Sequence, residues 1–202
     1  MTTKRHDNIG LIRVNNSLGN DNLVSAFDNA LDELSDTKGL IIDLRNTLSG
    51  GDSYEAKGII SRFIGELRPY QEHSVTEKSN NNPDAARLWI EYLTPRGDQY
   101  KQSVVVLVGR WTGSMGEGLA IGFEGMGRGE VVGSEMRRLA GEVWDFGFEH
   151  VNYGCQLPTA RLRHINGTPR ELYVPTNYVQ QTSIEEDETL MRQLEFIKAL
   201  QK

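Results

Sequence analysis

SVVVLVGRWTGSMGEGLAIGFEGM, residues 103–126, carries an apolar run through a glycine turn into a helix-length segment. The run SVVVLV (103–108) has strand length and is rich in β-branched residues, the pattern of a strand buried on both faces. GRWTGSMG follows as the turn, and EGLAIGFEGM (117–126) reads as a helix. Strand, turn and helix in this order form half of a parallel βαβ unit. The same grammar appears upstream. IGLIRV (9–14) reads as a strand. A helix over 21–34 follows, with Leu23, Val24, Phe27, Ala30, Leu31 and Leu34 on one face and Asn20 or Asp21 as its cap. GLIIDL (39–44), broken only by Asp43, is a second buried strand, and EVVG (130–133) is a fourth. The fold class is α/β with a parallel sheet, over a single domain of residues 1–202.

A second glycine turn, SGGDS (49–53), opens a helix over 53–65 with Ile59, Ile60, Phe63 and Ile64 inward. In open α/β sheets such turns gather at the carboxyl edge, where ligands bind. A helix amino terminus also offers free N–H groups to negative charge. Two such turns facing one cleft would suit acyl transfer, with Ser114 attacking a carbonyl and backbone N–H groups meeting the oxyanion. The alternative is architectural: Thr112 or Ser114 caps the helix, and Glu117 completes a capping box on Ser114. The turn is not the G-x-S-x-G elbow, because Thr112 holds its first position, and it lacks the lysine of a P-loop.

Elsewhere the pattern is weaker. SNNNPD (79–84) reads as a polar turn and DAARLWIEYL (84–93) as a short helix. VWDFGF, CQLP, RLRHI and LYVP read as short strands. A last helix over 183–201 starts from Ser183 as its cap, with Ile184, Leu190, Met191, Leu194, Ile197 and Leu200 as a packing stripe.

With 202 residues and a net charge of −6, the chain suits neither a nucleic-acid nor an anionic-membrane surface. No apolar run reaches the roughly 20 residues of a spanning helix. MTTKRHDN has no signal-peptide core, which suits a cytoplasmic protein or a trimmed form of an exported one. The single cysteine, Cys155, excludes internal disulfides and a cysteine-rich zinc site, and is expected as a small buried hydrophobe. No metal or cofactor is expected.

Together, IGLIRV (9–14), GLIIDLRNTLSGG (39–51), VVVLVGRWTGSMGE (104–117), VVGSEMRRLAG (131–141) and NGTPRELYVPTNYV (166–179) resemble the C-terminal-processing, or tail-specific, serine peptidases, whose core is shared with tricorn protease. The order and spacing match over nearly the whole chain. The resemblance implies a crotonase/Clp-like core and a serine-type peptidase that cuts exposed or C-terminal segments of a peptide or protein substrate. A homo-oligomer is also implied. Carried over, Ser114 is the nucleophile, and Met115 with Gly50 or Gly51 supplies the oxyanion N–H groups. Asp43 and Arg45 take a structural place. The family's lysine base falls 25 residues beyond the serine, where this chain has Leu139. Arg137 and Arg138 cannot replace it, because a guanidinium stays protonated. The resemblance therefore turns to the tricorn-like branch, which uses a histidine and a late glutamate. Glu171 falls at that glutamate, and His73, ahead of His6, is the in-chain base. A histidine's ordinary pKa of about 6.5 lets it accept a proton at neutral pH. The family's PDZ module has no counterpart here. Loss of both base and PDZ module would leave a descendant that binds a peptide or apolar ligand without catalysis.

Overall fold

The computed structural model describes residues 1–200 apart from 21, 52, 78–81, 83–84, 151–152 and 184. The chain begins with strands β1 (Thr2–His6), β2 (Ile9–Arg13) and β3 (Asn16–Ser17), then helix α1 (Leu23–Glu33). Strands β4 (Gly39–Asp43) and β5 (Thr47–Ser49) lead to α2 (Ser53–Ile60), which tightens into a 3₁₀ turn at Ser61–Phe63. A hairpin of β6 (Arg68–Thr76) and β7 (Ala86–Leu93) precedes β8 (Ser103–Val108), α3 (Met115–Gly125) and β9 (Glu130–Gly133). A second hairpin, β10 (Gly141–Gly147) and β11 (Gly154–Arg163), is followed by β12 (Asn177–Tyr178) and α4 (Glu188–Leu200).

The main sheet has the order β1-β2-β4-β8-β9-β12. Its pairs from β2 to β12 are parallel, as the apolar runs require, and β1 adds an antiparallel edge. Each central strand is apolar over most of its length because its residues serve two layers in alternation. Ile12, Leu40, Ile42, Val104 and Val106 pack towards α1–α3. Leu11, Ile41, Val105, Leu107 and Val132 pack with Ile197 of α4. Phe63 sits in the first layer, edge-on to Phe123 at 5.0 Å and to Phe27 at 6.1 Å. Full burial of side chains of this size stabilises by about 1.5–3 kcal/mol each.

A second sheet, β10-β11-β6-β7, is antiparallel, and β6 packs on α3. Here the structure departs from sequence expectation. Within DAARLWIEYL, Ala86–Leu93 form the strand β7 rather than a helix, because Trp89, Ile90 and Tyr92 favour a pleated surface and β6 supplies a partner from Arg68 to Thr76. CQLP and the first three residues of RLRHI fuse into β11, which ends at Arg163, with an irregularity opposite Glu142/Val143 that accommodates Pro158. LYVP is not a strand: Arg170–Leu172 form a 3₁₀ turn, and pairing resumes only at Asn177. Pro175 lacks the N–H that a ladder needs. Cys155 is exposed rather than buried, because it lies where the second hairpin runs out into solvent.

Helix boundaries also shift. α4 starts at Glu188, where Asp187 accepts the Leu190 N–H at 3.0 Å, while Ser183 accepts the N–H groups of Glu185 and Glu186 in a separate turn. At α1, Asn20 accepts the Asn22 N–H at 3.0 Å. The alternative cap Asp21, most of SNNNPD, Ile184 and the Leu200 side chain lie outside what is described. No helix among the described residues is long and apolar enough to cross a membrane.

Candidate active site

The turn between β8 and α3 is locked to the end of β4. Thr112 Oγ1 donates to the Leu44 carbonyl at 2.9 Å and accepts the Gly109 N–H at 3.0 Å. A glycine would supply neither bond, which accounts for a threonine at this position. Gly113 N–H donates to the Thr47 carbonyl at 2.9 Å, and Arg137 Nη1 to the Leu48 carbonyl at 2.6 Å. Those contacts bring the two glycine turns together. A Cβ on Gly50 would stand 2.5 Å from the Met115 nitrogen and 2.7 Å from its Cβ, so only glycine fits. The Met115 N–H itself opens α3 and has no hydrogen-bond partner among the described residues.

Ser114 precedes it with φ 53° and ψ −120°, a backbone conformation that L-residues rarely hold. Strain of this kind costs about 1–3 kcal/mol and clusters at functional sites. A capping box joins Ser114 to Glu117, whose carboxylate accepts the Ser114 N–H at 2.8 Å. The architectural role weighed for Ser114 is thus present in the fold. Among the described residues no imidazole, amine or carboxylate is hydrogen-bonded to the Ser114 hydroxyl.

Glu117 is buried and does more than cap. It also accepts the Arg138 N–H at 2.8 Å and the Leu139 N–H at 3.3 Å. Burial raises its carboxyl above the usual carboxylate range, against the pull of Arg170 and these N–H groups. The segment where the resembling family carries its lysine is thereby pinned under Ser114 by backbone contacts, with a leucine side chain at 139. Arg170 completes the clamp, with Nε donating to the Leu139 carbonyl at 2.6 Å and Nη2 to the Gly141 carbonyl at 3.1 Å. Burial draws its guanidinium below the ordinary arginine range, opposed by Glu117, Tyr70 and Glu171.

A cavity of about 510 Å³ opens over this floor, lined among others by Gly51, His73, Ser114, Met115, Trp144 and Arg170. His73, on β6, is buried and stacks on Trp89 at 4.8 Å. Its Nε2 is 3.3 Å from both Glu91 Oε2 and the Gln71 amide nitrogen. Its Nδ1 lies 3.5 Å from Glu142 Oε2 without hydrogen-bonding geometry. Burial works to raise the Glu91 carboxyl, but bonds from His73, Lys57 and Gln71 prevail and bring it to about 2. Glu171 is not part of this group. It does not line the cavity, and its Oε2 is buried without a hydrogen bond.

Gly51, Ser114, Met115 and His73 are thus gathered at one cavity, with Gly50 packed beneath Met115. The carboxylates beside His73 are Glu91 and Glu142. Glu91 escapes a reading of the sequence that makes its segment a helix. Read as a strand, ARLWIEYL puts Trp89 and Glu91 on one face, where they meet His73. Asp43 and Arg45 lie outside the cavity's lining. Asp43 is fully buried, accepting from Arg13 Nε at 2.7 Å and Arg45 Nε at 2.9 Å, and Arg45 reaches on to Asp187 at 2.6 Å. His6 is also outside the lining. No cluster of three or more His, Cys, Asp or Glu side chains among the described residues has metal-binding geometry.

Residues 8–172 match the family model of peptidase family S41. No curated protein matches the chain. Among solved structures, the fold is similar to that of a candidate peptidase from Parabacteroides merdae, with a TM-score of 0.81 and 20% identity over 96% of this chain and 63% of that one. It is also similar to the photosystem II D1 C-terminal processing protease (TM-score 0.68, 21% identity, 91% of this chain and 46% of that one). Tricorn protease is matched at a TM-score of 0.54 and 14% identity, over 96% of this chain and 18% of that one. The chain thus spans less than two thirds of the length of each of these proteins.

Proposed function

Because the chain belongs to peptidase family S41, we propose that it is a serine peptidase that cleaves exposed or C-terminal segments of polypeptides through Ser114. The observation that carries this is the pairing of a strained Ser114 with the unspent Met115 N–H at the head of α3, inside a cavity. Ser114 Oγ attacks the peptide carbonyl, and the oxyanion is met by Met115 N–H and by the N–H of Gly51 on the opposite turn. His73 takes the hydroxyl proton and returns it to the leaving amine, and water then releases the acyl group. Glu91 fills the role first expected of Glu171, holding the imidazole through Nε2. Hydroxyl and imidazole come within reach when substrate fills the cavity, as catalytic hydrogen bonds often tighten only in the complex.

β10 lies at the edge of its sheet, and its residues 141–145 line the same cavity. An extended substrate can pair with that open edge. The proposal includes a lysine-free, tricorn-like arrangement of base and nucleophile, on a crotonase-like core of one domain that assembles as homo-oligomers. Covalent labelling by a fluorophosphonate probe tests the reading. The wild type should label, while Ser114→Ala should not and His73→Ala should label far more slowly. A wild type that resists the probe, or a Ser114→Ala variant that still takes it, would sink the proposal.

A further inference from the structure

We propose that His164 is a positioning residue whose neutral ring braces the Arg170 clamp, so that the wall of the Ser114 cavity loosens when the ring takes up a proton. The device is independent of the chemistry that the cavity performs. His164 directly follows β11 and is 6% exposed. Its Nδ1 accepts the Asn166 N–H at 3.0 Å, and a ring nitrogen that accepts carries no proton. The neutral ring therefore has its proton on Nε2. Nε2 is buried without a hydrogen bond among the described residues, against the end of α3, where a Cβ on Gly125 would stand 3.5 Å away. The ring's next proton must go to Nδ1, where it would oppose the Asn166 N–H. The Asn166 side-chain oxygen, the other group at hand, is spent on the Thr168 N–H at 2.9 Å. Either adjustment costs the turn one of its bonds.

The turn held in this way delivers Arg170. His164 N–H donates to the Thr168 carbonyl at 2.9 Å, and Gly167 N–H to the His164 carbonyl at 2.8 Å. Arg163 bridges to Pro169 across the turn, and Arg170 follows at once, gripping Leu139 and Gly141. Beyond Arg170, Tyr173 lies parallel to the imidazole at 6.3 Å. One ring thus braces the chain on both sides of the clamp. The charged and titratable groups around it come from three elements. Glu124 of α3 places Oε1 3.9 Å from Nε2, while its Oε2 accepts from the Tyr173 hydroxyl. Arg163 of β11 faces Glu72 of β6 at 3.7 Å and the Gly167 carbonyl at 3.5 Å. Burial draws the His164 pKa below its ordinary value, against the pull of Glu124 and Asn166. The bracing is therefore complete above the ordinary value of about 6.5 and is lost as pH falls below it.

Two NMR measurements test this. Long-range proton–nitrogen spectra read the tautomer: at neutral pH His164 should carry its proton on Nε2, and a proton on Nδ1 overturns the proposal. Amide exchange, corrected for its intrinsic pH dependence, is then followed at Asn166, Gly167, Thr168, Leu172 and Tyr173 from neutral pH to about pH 5.5. One proton bound by the open turn, through one pH unit below about 6.5, should lower protection by up to about tenfold. His164→Asn is the conservative rescue, because an asparagine oxygen accepts the backbone N–H two residues on and does not titrate in this range. In that variant protection should change by less than about twofold between the two pH values, whatever its absolute stability. A merely structural role for His164 leaves the wild type as insensitive to pH as the variant. That result, or an equal loss in both proteins, overturns the proposal. Neither measurement uses Ser114 chemistry. A chain that resists the fluorophosphonate leaves the brace standing, and a turn indifferent to pH leaves the peptidase reading untouched.

Discussion

Ser114 sits where a side chain is penalised, and that makes a discriminating pair of variants available. At φ 53° and ψ −120° the backbone is strained by about 1–3 kcal/mol for any residue with a Cβ. Ser114→Ala keeps the strain and loses the cap, and should destabilise the fold by about 1 kcal/mol. Ser114→Gly removes the strain and loses only a few tenths of a kcal/mol as a cap, but adds about 0.5–1 kcal/mol of unfolded-state entropy. The net for glycine runs from no change to a gain of about 2 kcal/mol. The glycine variant should therefore be more stable than the alanine variant by about 1–3 kcal/mol, while both fail to react with a fluorophosphonate. Urea unfolding with matched m-values measures the difference. If Ser114→Ala proves as stable as Ser114→Gly, the backbone at 114 is not strained, and the argument that a functional demand holds a serine there loses its physical basis.

Gly50→Ala should cost about 1–3 kcal/mol, since its Cβ would meet the Met115 amide at 2.5 Å, and should slow hydrolysis sharply by displacing that N–H; thermal unfolding and rate measurements check both. Asp43→Ala removes the anion shared by Arg13 and Arg45 in a fully buried position and should destabilise by about 3 kcal/mol or more in urea. The Glu91 carboxyl titrates at about 2 in the fold against 4.5 as its ordinary value, so its contribution is complete above that ordinary value and is lost as pH falls from about 4.5 to about 2. Glu91→Gln should flatten the acid side of the stability profile in that window, and an unchanged slope would contradict the assignment.

The parallel core was legible because its cause is local. A strand buried on both faces must be apolar at nearly every position, and GLIID and SVVVLV satisfy that with little help from context. The turns were legible for a similar reason, since glycines at 50, 113 and 116 and a capping glutamate at 117 mark where a strand must give way to a helix. β7 was not. ARLWIEYL has apolar residues on both faces and mostly exposed positions, so it lacks a clean period, and its state is set by β6 lying alongside. β1 was missed for the same reason, with exposed or half-exposed residues throughout.

What the sequence alone determined, then, is the order of the parallel-sheet strands and the helices between them, with the residues at the two glycine turns, because backbone propensity and burial act over short spans of chain. Only the tertiary structure decided that Gly50 presses on the Met115 amide and that His73 is flanked by Glu91 and Glu142 rather than by Glu171. It also decided that Arg170 clamps the Leu139 and Gly141 carbonyls at the wall of the cavity. These are pairings between residues far apart in the chain, and their energies depend on distance and exclusion of water, quantities that exist only once the two sheets have closed around α3.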